Sequence, residues 1–294
     1  MSGDWINFYF YKGPSFIGAA KSFEEAVYIA FGVPFDATAS CRPGSRFAPL
    51  SLRMMSENLE IPEEELIKLI DLGDLPPTNS VEVMLRRVGA VVEEIMARGK
   101  VPVILGGEHT LTLASGLKVP KDVTLVIFDA HLDLRDEYMD TRVNHTTWLR
   151  RLNEEKRDLR TFVIGARAYL REELEYAREN GIEIVTSREI NENFHEIYER
   201  VSKIISGPEK VYLSIDVDVL DPGYAPGVGN PEPWGISPAH LFRLIKLVSG
   251  GELVGVDVVE VNPLFDNGES AANAVYAIYE ALSASSTTSS RASR

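Results

Sequence analysis

Short apolar runs rich in β-branched residues alternate with longer amphipathic stretches along most of this chain, and this alternation constrains the fold more than any other feature. It predicts strands at residues 27–32, 101–105, 123–128, 161–164, 183–185, 211–215 and 253–259. It predicts helices at residues 48–59, 81–98, 111–117, 147–152, 172–180, 194–205, 238–248 and 271–282. This order is typical of a mostly parallel sheet with crossover helices, so the sequence predicts a three-layer α/β/α fold.

The alternation also predicts a single domain, because no linker rich in Pro, Gly or Ser interrupts it. We expect this domain to span residues 27–282, after an N-terminal segment of residues 1–26. Residues 283–294 consist of Ser, Thr, Ala and Arg, a composition that predicts a disordered tail.

The charge of the chain limits its partners. There are 30 Lys and Arg against 44 Asp and Glu, which gives a net charge of −14 and disfavours binding to nucleic acid or to an anionic membrane surface. The acidity fits either plain solubility or the handling of metals or a cationic substrate.

The single cysteine, Cys41, excludes an intrachain disulfide and a multi-cysteine metal cluster. No apolar run approaches the ~18 residues of a membrane span, so we expect a cytoplasmic protein.

Polar motifs follow four of the predicted strands at their carboxyl ends. They are Gly-Gly-Glu-His at residues 106–109, Asp-Ala-His-Leu-Asp at residues 129–133, Asp-Val-Asp at residues 216–218, and Glu260. In an open parallel sheet the carboxyl ends of the strands form the ligand crevice. The four motifs are therefore expected to converge on one site.

The residue types in these motifs favour a metal centre. Asp129, His131 and Asp133 alternate along the chain and are expected to share one face, where their oxygen and nitrogen atoms suit Mn, Fe, Ni or Zn. Asp216 and Asp218 form a second pair, and residue 109 adds a further imidazole. This set exceeds what one four-coordinate ion needs, which predicts two metals that share an activated water.

Each motif also has a plainer interpretation. Asp216 and Asp218 are compatible with a solvated turn, and His109 alone with a hydrogen-bonded structural histidine. The motif at residues 129–133 is stronger evidence, because burying two carboxylates beside an apolar strand is costly without a cation. His195 and His240 lie in amphipathic stretches without acidic partners, and we interpret both as structural or surface residues.

Together the motifs resemble those of the ureohydrolases, a family that includes arginase and agmatinase. Gly-Gly-Glu-His, Asp-Ala-His-x-Asp, Ser-Ile-Asp-Val-Asp-Val-Leu-Asp-Pro and Val-Glu-Val-Asn-Pro occur in the family's order. The segments at residues 32–36, 42–46, 133–138 and 225–227 are similar to agmatinase segments in particular. The resemblance implies an arginase-like fold, hydrolysis of agmatine to putrescine and urea, and a homo-oligomer that is trimeric or hexameric.

The resemblance also implies roles for individual residues. One Mn²⁺ would be held by His109, Asp129, Asp133 and Asp216, and a second by Asp129, His131, Asp216 and Asp218, so that Asp129 and Asp216 bridge. Asp133 would orient the attacking water, Glu260 would pair with the substrate guanidinium, and His145 would carry a proton to the leaving amine. Without the resemblance, a surface histidine in a polar loop is the preferred interpretation of His145. The apolar neighbours of Glu260 make an unpaired carboxylate costly there.

The substrate is less constrained than the chemistry. Asn230 and Trp234 stand where agmatinases commonly have Thr and Gly, and Trp234 is expected to narrow or reshape the pocket. Between residues 134 and 144 three acidic residues outnumber Arg135 and Arg142, which favours a bare ammonium group, as in agmatine, over an ammonium and carboxylate together. Alternatives are a ureohydrolase acting on arginine or guanidinobutyrate, a binuclear metallophosphoesterase, and a catalytically silent oligomeric homologue.

Overall fold

The structure, a computed structural model, describes residues 14–60, 67–205 and 209–285 and is built around one eight-stranded sheet. Its strands are β1 (Tyr28–Gly32), β2 (Leu69–Asp74), β3 (Val101–Leu105), β4 (Val123–Phe128), β5 (Arg160–Ala166), β6 (Glu183–Thr186), β7 (Lys210–Asp216) and β8 (Glu252–Val259). They lie in the order β2-β1-β3-β8-β7-β4-β5-β6, and every pair of neighbours is parallel.

Helices cover both faces of the sheet. They are α1 (Ala48–Asn58), α2 (Val81–Ala97), α3 (Leu111–Gly116), α4 (Trp148–Glu155), α5 (Arg171–Glu179), α6 (Ser187–Ile204), α7 (Pro238–Val248) and α8 (Glu269–Ala284). Helices α1, α6, α7 and α8 pack on one face, and α2 to α5 pack on the other. The predicted three-layer α/β/α fold is confirmed. The central strands read as continuous apolar runs because both of their faces are buried.

The sequence did not predict strand β2. The strand forms because of an ion pair with a residue from another element. Its sequence, Leu-Ile-Asp-Leu-Gly-Asp, contains residue types that strands disfavour. The buried guanidinium of Arg53, on α1, donates to Asp71 from Nε at 2.6 Å and also contacts Asp74. This cation from a distant helix compensates the carboxylates and lets the edge strand form.

Helix α6 begins at Ser187 rather than at residue 194, where the prediction placed it. Thr186 and Glu189 form a capping box, in which the Thr186 hydroxyl accepts from the Glu189 amide at 3.2 Å and the Glu189 carboxylate accepts from the Thr186 amide at 2.7 Å. The backbone departs from helical geometry at Asn193, with φ −142° and ψ 50°. This break divides the hydrophobic period, so only the second half was recognised in the sequence.

The strand order decides where the site lies. Strands β3, β8, β7 and β4 are consecutive neighbours in the sheet although they are far apart in the chain. These are the four strands that the polar motifs follow. Their carboxyl ends therefore form one continuous edge.

The two ends of the chain are described only in part. Residues 1–13 of the N-terminal segment and residues 286–294 of the predicted tail lie outside the described residues. Ser283, which the prediction assigned to the tail, belongs to α8. Within the described ranges, no helix has both the length and the apolar character that a membrane crossing requires.

Candidate active site

The carboxyl ends of the four neighbouring strands present all the predicted site residues except His145. His109 lies in the turn after β3, and the motif at residues 129–133 follows β4 directly. Asp216 is the last residue of β7, Asp218 lies in the 3-10 turn Val217–Val219, and Glu260 follows β8. The structure thus brings side chains from four strands to one place.

Three carboxylates surround one nitrogen of His109. Its Nδ1 lies 3.0 Å from Asp129 Oδ2, 3.3 Å from Asp133 Oδ2 and 3.3 Å from Asp216 Oδ2. All four side chains are buried. His109, Asp129 and Asp133 offer ligand atoms close enough together to hold one metal ion.

A second group surrounds His131 and shares Asp129 with the first. His131 Nδ1 lies 2.9 Å from Asp218 Oδ2 and 3.4 Å from Asp129 Oδ1. Asp129, His131 and Asp218 also offer ligand atoms at metal-binding separations. Because the two oxygens of Asp129 face different imidazoles, this carboxylate lies between the two groups.

Hydrogen bonds from two main-chain amides and one indole hold three of these carboxylates in place. Asp129 Oδ1 accepts from the His131 amide at 2.7 Å, and Asp216 Oδ1 accepts from the Asp218 amide at 2.8 Å. Asp133 Oδ2 accepts from the Trp148 indole at 2.7 Å. These bonds fix each carboxylate before any ion binds, which lowers the conformational cost of ligation.

The cluster buries several carboxylates close together, and this excess of negative charge favours the binding of protons or of a cation. Burial raises the pKa of Asp133 to about 6, and burial together with Asp218 and Asp129 holds the pKa of Asp216 well above its usual range. Burial opposes protonation of His109 and His131, but the surrounding carboxylates outweigh it and raise the pKa of both imidazoles well above the usual value. A divalent cation meets the same demand for positive charge.

The hydrogen bonds of His109 test whether a metal fits. His109 Nδ1 is buried and has no hydrogen-bond partner of acceptable geometry, despite the three carboxylates around it. Its other nitrogen, Nε2, lies 3.0 Å from Ser214 Oγ, whose proton goes to Asp257 Oδ1 at 2.5 Å. Ser214 must therefore accept from Nε2–H, which leaves the Nδ1 lone pair free to ligate. The residues present fit a pair of divalent ions.

Glu260 lines a cavity next to the two His and Asp groups. It is buried, and its Oε1 accepts from the His109 amide at 2.9 Å. Burial, followed by the charge of Glu108, raises the pKa of Glu260 to about 8. Glu260 and Asp133 both have left-handed backbones, with φ of 63° and 53°. Such backbone strain in non-glycine residues clusters at functional sites.

His145 reaches the cavity from the loop before α4. Its Nε2 lies 3.0 Å from Ser40 Oγ, and its main-chain amide donates to Thr38 Oγ1 at 3.2 Å. Burial, followed by the charges of His131 and His109, lowers the pKa of His145 to about 4. The imidazole is therefore neutral at neutral pH and able to accept a proton. The cavity that unites these side chains is lined by His109, His131, Asp133, His145, Thr146, Asp216, Asp218, Asn230 and Glu260.

Comparison of the chain with known proteins identifies its family. Residues 26–284 match the model of the Arginase family. The chain belongs to the arginase family. This is a family of binuclear metal-dependent enzymes, in agreement with the two His and Asp groups.

Individual relatives within the arginase family differ in the substrate that their names state. The chain is 35% identical to an agmatinase of Bacillus subtilis over 90% of this chain and 93% of that protein. It is 36% identical to a guanidinopropionase of Pseudomonas aeruginosa, over 81% and 79% of the two chains. The crystal structure of an agmatine ureohydrolase of Thermoplasma volcanium superimposes with a TM-score of 0.85 at 36% identity, covering 96% of this chain and 97% of that one.

Asp136, one of the three acidic residues behind the predicted acidic field, is paired with arginines. Asp136 accepts hydrogen bonds from Arg151 at 2.7 Å and Arg142 at 2.9 Å, and Arg150 lies 3.6 Å away. The hydrogen bonds from Arg151 and Arg142 lower the pKa of Asp136 to about 2. Arg150 and Arg151 belong to α4, outside the segment whose charges were counted. Arginines outside the segment therefore compensate Asp136, and Glu154 of the same helix shares them.

Trp234 does not narrow the described cavity. Its side chain is 67% exposed, and its ring lies 5.8 Å from the guanidinium carbon of Arg188 on α6. Its backbone φ of 69° belongs to the left-handed region, which accounts for the glycine that agmatinases commonly have at this position.

His195 is exposed on α6, and the ring of His240 stacks on Phe194 at 4.3 Å, in agreement with their interpretation as surface and structural residues.

Several residues that support the site were missed in the sequence. Ser214 and Asp257 interrupt the apolar runs of β7 and β8, and a buried polar residue in such a strand was an available signal. Glu108 is buried and accepts from the Thr38 amide at 2.8 Å. Thr38 and Ser40 come from the loop after β1, and their spacing gave no signal.

Proposed function

We propose that this protein is an agmatinase, which hydrolyses agmatine to putrescine and urea with two manganese ions. The observation that carries the proposal is the position of Asp129, whose two carboxylate oxygens lie within 3.4 Å of two different imidazoles. One side chain can thus serve two metal positions. Among the described residues that line the cavity, none is Lys or Arg, which favours a cationic substrate over a phosphate ester.

The positions of the ligand atoms suggest the assignment of the two ions. His109, Asp133 and Asp216 would hold one ion, His131 and Asp218 would hold the other, and Asp129 would contact both. Asp216 would reach the second ion as well, as the family resemblance implies. When bound, the ion pair supplies a nucleophilic water at neutral pH.

The chain's own residues would then bind the guanidinium and move protons. Glu260, once ionised, can accept hydrogen bonds from the guanidinium, and the carboxylate of Asp133 can hold the attacking water through a proton. The water oxygen bonds to the guanidinium carbon, and the bond from that carbon to the alkyl nitrogen breaks. Both protons of the water would reach the leaving nitrogen, one through His145 and the other through Asp133, so that urea and an alkylammonium ion result.

The choice of agmatine rests on the relatives' names and on the agmatinase-like segments. The charge count between residues 134 and 144 does not carry this choice, because Arg151 of α4 pairs with Asp136 and also with Glu154. A carboxylate-bearing substrate is therefore the second candidate, whether arginine, guanidinobutyrate or the substrate type named by the guanidinopropionase relative.

A panel of guanidines tests the function. Urea release would be measured with agmatine, arginine, 3-guanidinopropionate and 4-guanidinobutyrate, after loading with Mn²⁺ and with chelated protein as the control. We expect the highest kcat/KM with agmatine and about two ions per subunit by metal analysis. Equal or better turnover of a carboxylate-bearing compound would reject agmatinase activity, and an absence of urea from every guanidine would reject the ureohydrolase mechanism.

The assembly and location are proposed from the same resemblance. We propose a cytoplasmic homo-oligomer, either a trimer or a hexamer. Light scattering on the purified protein measures the assembly directly, and a monomeric mass would contradict it.

A further inference from the structure

The side chain of His145 is held by a hydrogen-bonded bridge between two loops that the sequence did not connect. His145 Nε2 lies 3.0 Å from Ser40 Oγ, and Ser40 Oγ in turn accepts from Asn230 Nδ2 at 3.2 Å. Ser40 belongs to the loop after β1, and Asn230 belongs to the loop after β7.

Both loops are anchored, so the bridge has a fixed geometry. Asp36 is buried, and its carboxylate accepts from the Gly44 amide at 2.7 Å and pairs with Arg46, which closes the loop around Ser40. The second loop is tied down at residue 227, whose amide donates to Ser270 Oγ at 2.9 Å and whose carbonyl accepts from the Asn262 amide at 2.7 Å.

On the opposite edge of the imidazole, the contact with Thr38 is longer than the contact with Ser40. Thr38 Oγ1 lies 3.4 Å from His145 Nδ1, and the single hydroxyl proton of Thr38 is directed to the Glu108 carboxylate at 2.5 Å. Ser40 therefore makes the shorter contact to the ring, and it is the contact that can fix the ring's rotation about the Cβ–Cγ bond.

We propose that Ser40 positions the His145 imidazole for proton transfer and that Asn230 acts through Ser40. This inference rests on the proposed role of His145 as the proton carrier. The Ser40 hydroxyl has one proton and two lone pairs, so it can accept from Asn230 and still exchange a hydrogen bond with Nε2. Asn230 is a positioning residue here rather than a direct contact of the substrate.

Kinetics of single and double variants test the proposal. Ser40→Ala should lower kcat by about 10-fold to 100-fold, the scale expected for a misplaced reacting group, and leave KM and metal content close to those of the wild type. Ser40→Thr, which keeps the hydroxyl, should recover most of the loss. Asn230→Ala should lower kcat less, and the double variant should be no slower than Ser40→Ala, because one residue acts through the other. Cys41→Ala, an exposed neighbour in the same loop, is the matched control and should retain its kcat.

A spectroscopic measurement separates this inference from the proposed function. The chain has five histidines, and the ring nitrogens of His145 can be assigned by NMR from the signal that His145→Asn removes. In protein loaded with zinc, which is diamagnetic, Ser40→Ala should change the His145 ring signals and Cys41→Ala should not.

Three outcomes would overturn the proposal: unchanged His145 signals in Ser40→Ala, a loss confined to KM, or additive losses from Ser40 and Asn230. Additive losses would make Asn230 an independent substrate contact. Failure of the wild type to hydrolyse any guanidine would instead reject the proposed function, and the NMR result would still decide whether Ser40 holds the ring.

Discussion

The buried carboxylate of Asp257 is predicted to control metal affinity without contacting a metal. It accepts from the Tyr212 hydroxyl at 2.6 Å, from Ser214 at 2.5 Å and from Thr112 at 3.1 Å, and it is fully buried. An ionised carboxylate has no proton, so it obliges the Ser214 hydroxyl to point toward it and to accept from His109 Nε2–H.

In Asp257→Asn an amide with two protons replaces one acceptor oxygen, so at least one of the three hydroxyls must turn away. If the amide nitrogen faces Ser214, the serine proton turns toward His109 Nε2, and the histidine must then carry its own proton on Nδ1. That tautomer cannot ligate. Loss of such a supporting partner typically costs about 10-fold to 100-fold in metal affinity, or about 1.4 to 2.8 kcal/mol.

The assay is the dissociation constant for Mn²⁺ measured by chelator competition, together with urea unfolding of the same proteins. Ser214→Ala should weaken metal binding to a similar extent, because it leaves Nε2–H without its partner. Thr112→Val is the matched control: it removes another donor to Asp257 and should cost about 1–3 kcal/mol of stability with little effect on metal affinity. Wild-type metal affinity in both Asp257→Asn and Ser214→Ala would refute the reasoning.

Four further predictions follow from the site geometry. His145→Asn should lower kcat by about 10²-fold or more with metal content intact, and loss of metal would reassign His145 as a ligand. Because the pKa of Glu260 rises from 4.5 to about 8 on folding, its ionisation destabilises the metal-free protein as pH rises through that window. Glu260→Gln should therefore raise the unfolding temperature more at pH 8 than at pH 5, and equal gains at both pH values would contradict this. A Cβ in Gly229→Ala would lie 2.9 Å from Glu260 Oε2, and crowding of about 1–3 kcal/mol should raise the KM for the guanidine about 10-fold at unchanged metal content. The five N–H groups of Arg167 lie within hydrogen-bond distance of six main-chain carbonyls, including those of Asp218 and Glu232, so Arg167→Lys, with only three donors, should lower both thermal stability and metal affinity.

Prediction from sequence succeeded where the signal was local. The central strands were predicted because strands buried on both faces are continuously apolar, and the motifs after them were recognised by residue type and spacing. Strand β2 failed this test because its aspartates depend on Arg53, a cation from another element. The charge count around Asp136 was incomplete for a similar reason, since Arg150 and Arg151 approach it from α4 and are shared with Glu154.

The sequence by itself determined the layered α/β architecture and indicated the carboxylates and imidazoles that we propose as metal ligands. These follow from hydrophobic periodicity and from carboxylates and imidazoles set against apolar strands, which are properties of neighbouring residues. Only the tertiary structure decided that β3, β8, β7 and β4 are adjacent, and that Asp257, Ser214 and Ser40 support the two key histidines. Hydrogen bonds between distant segments depend on the relative placement of whole strands and loops, and no local pattern in the chain records that placement.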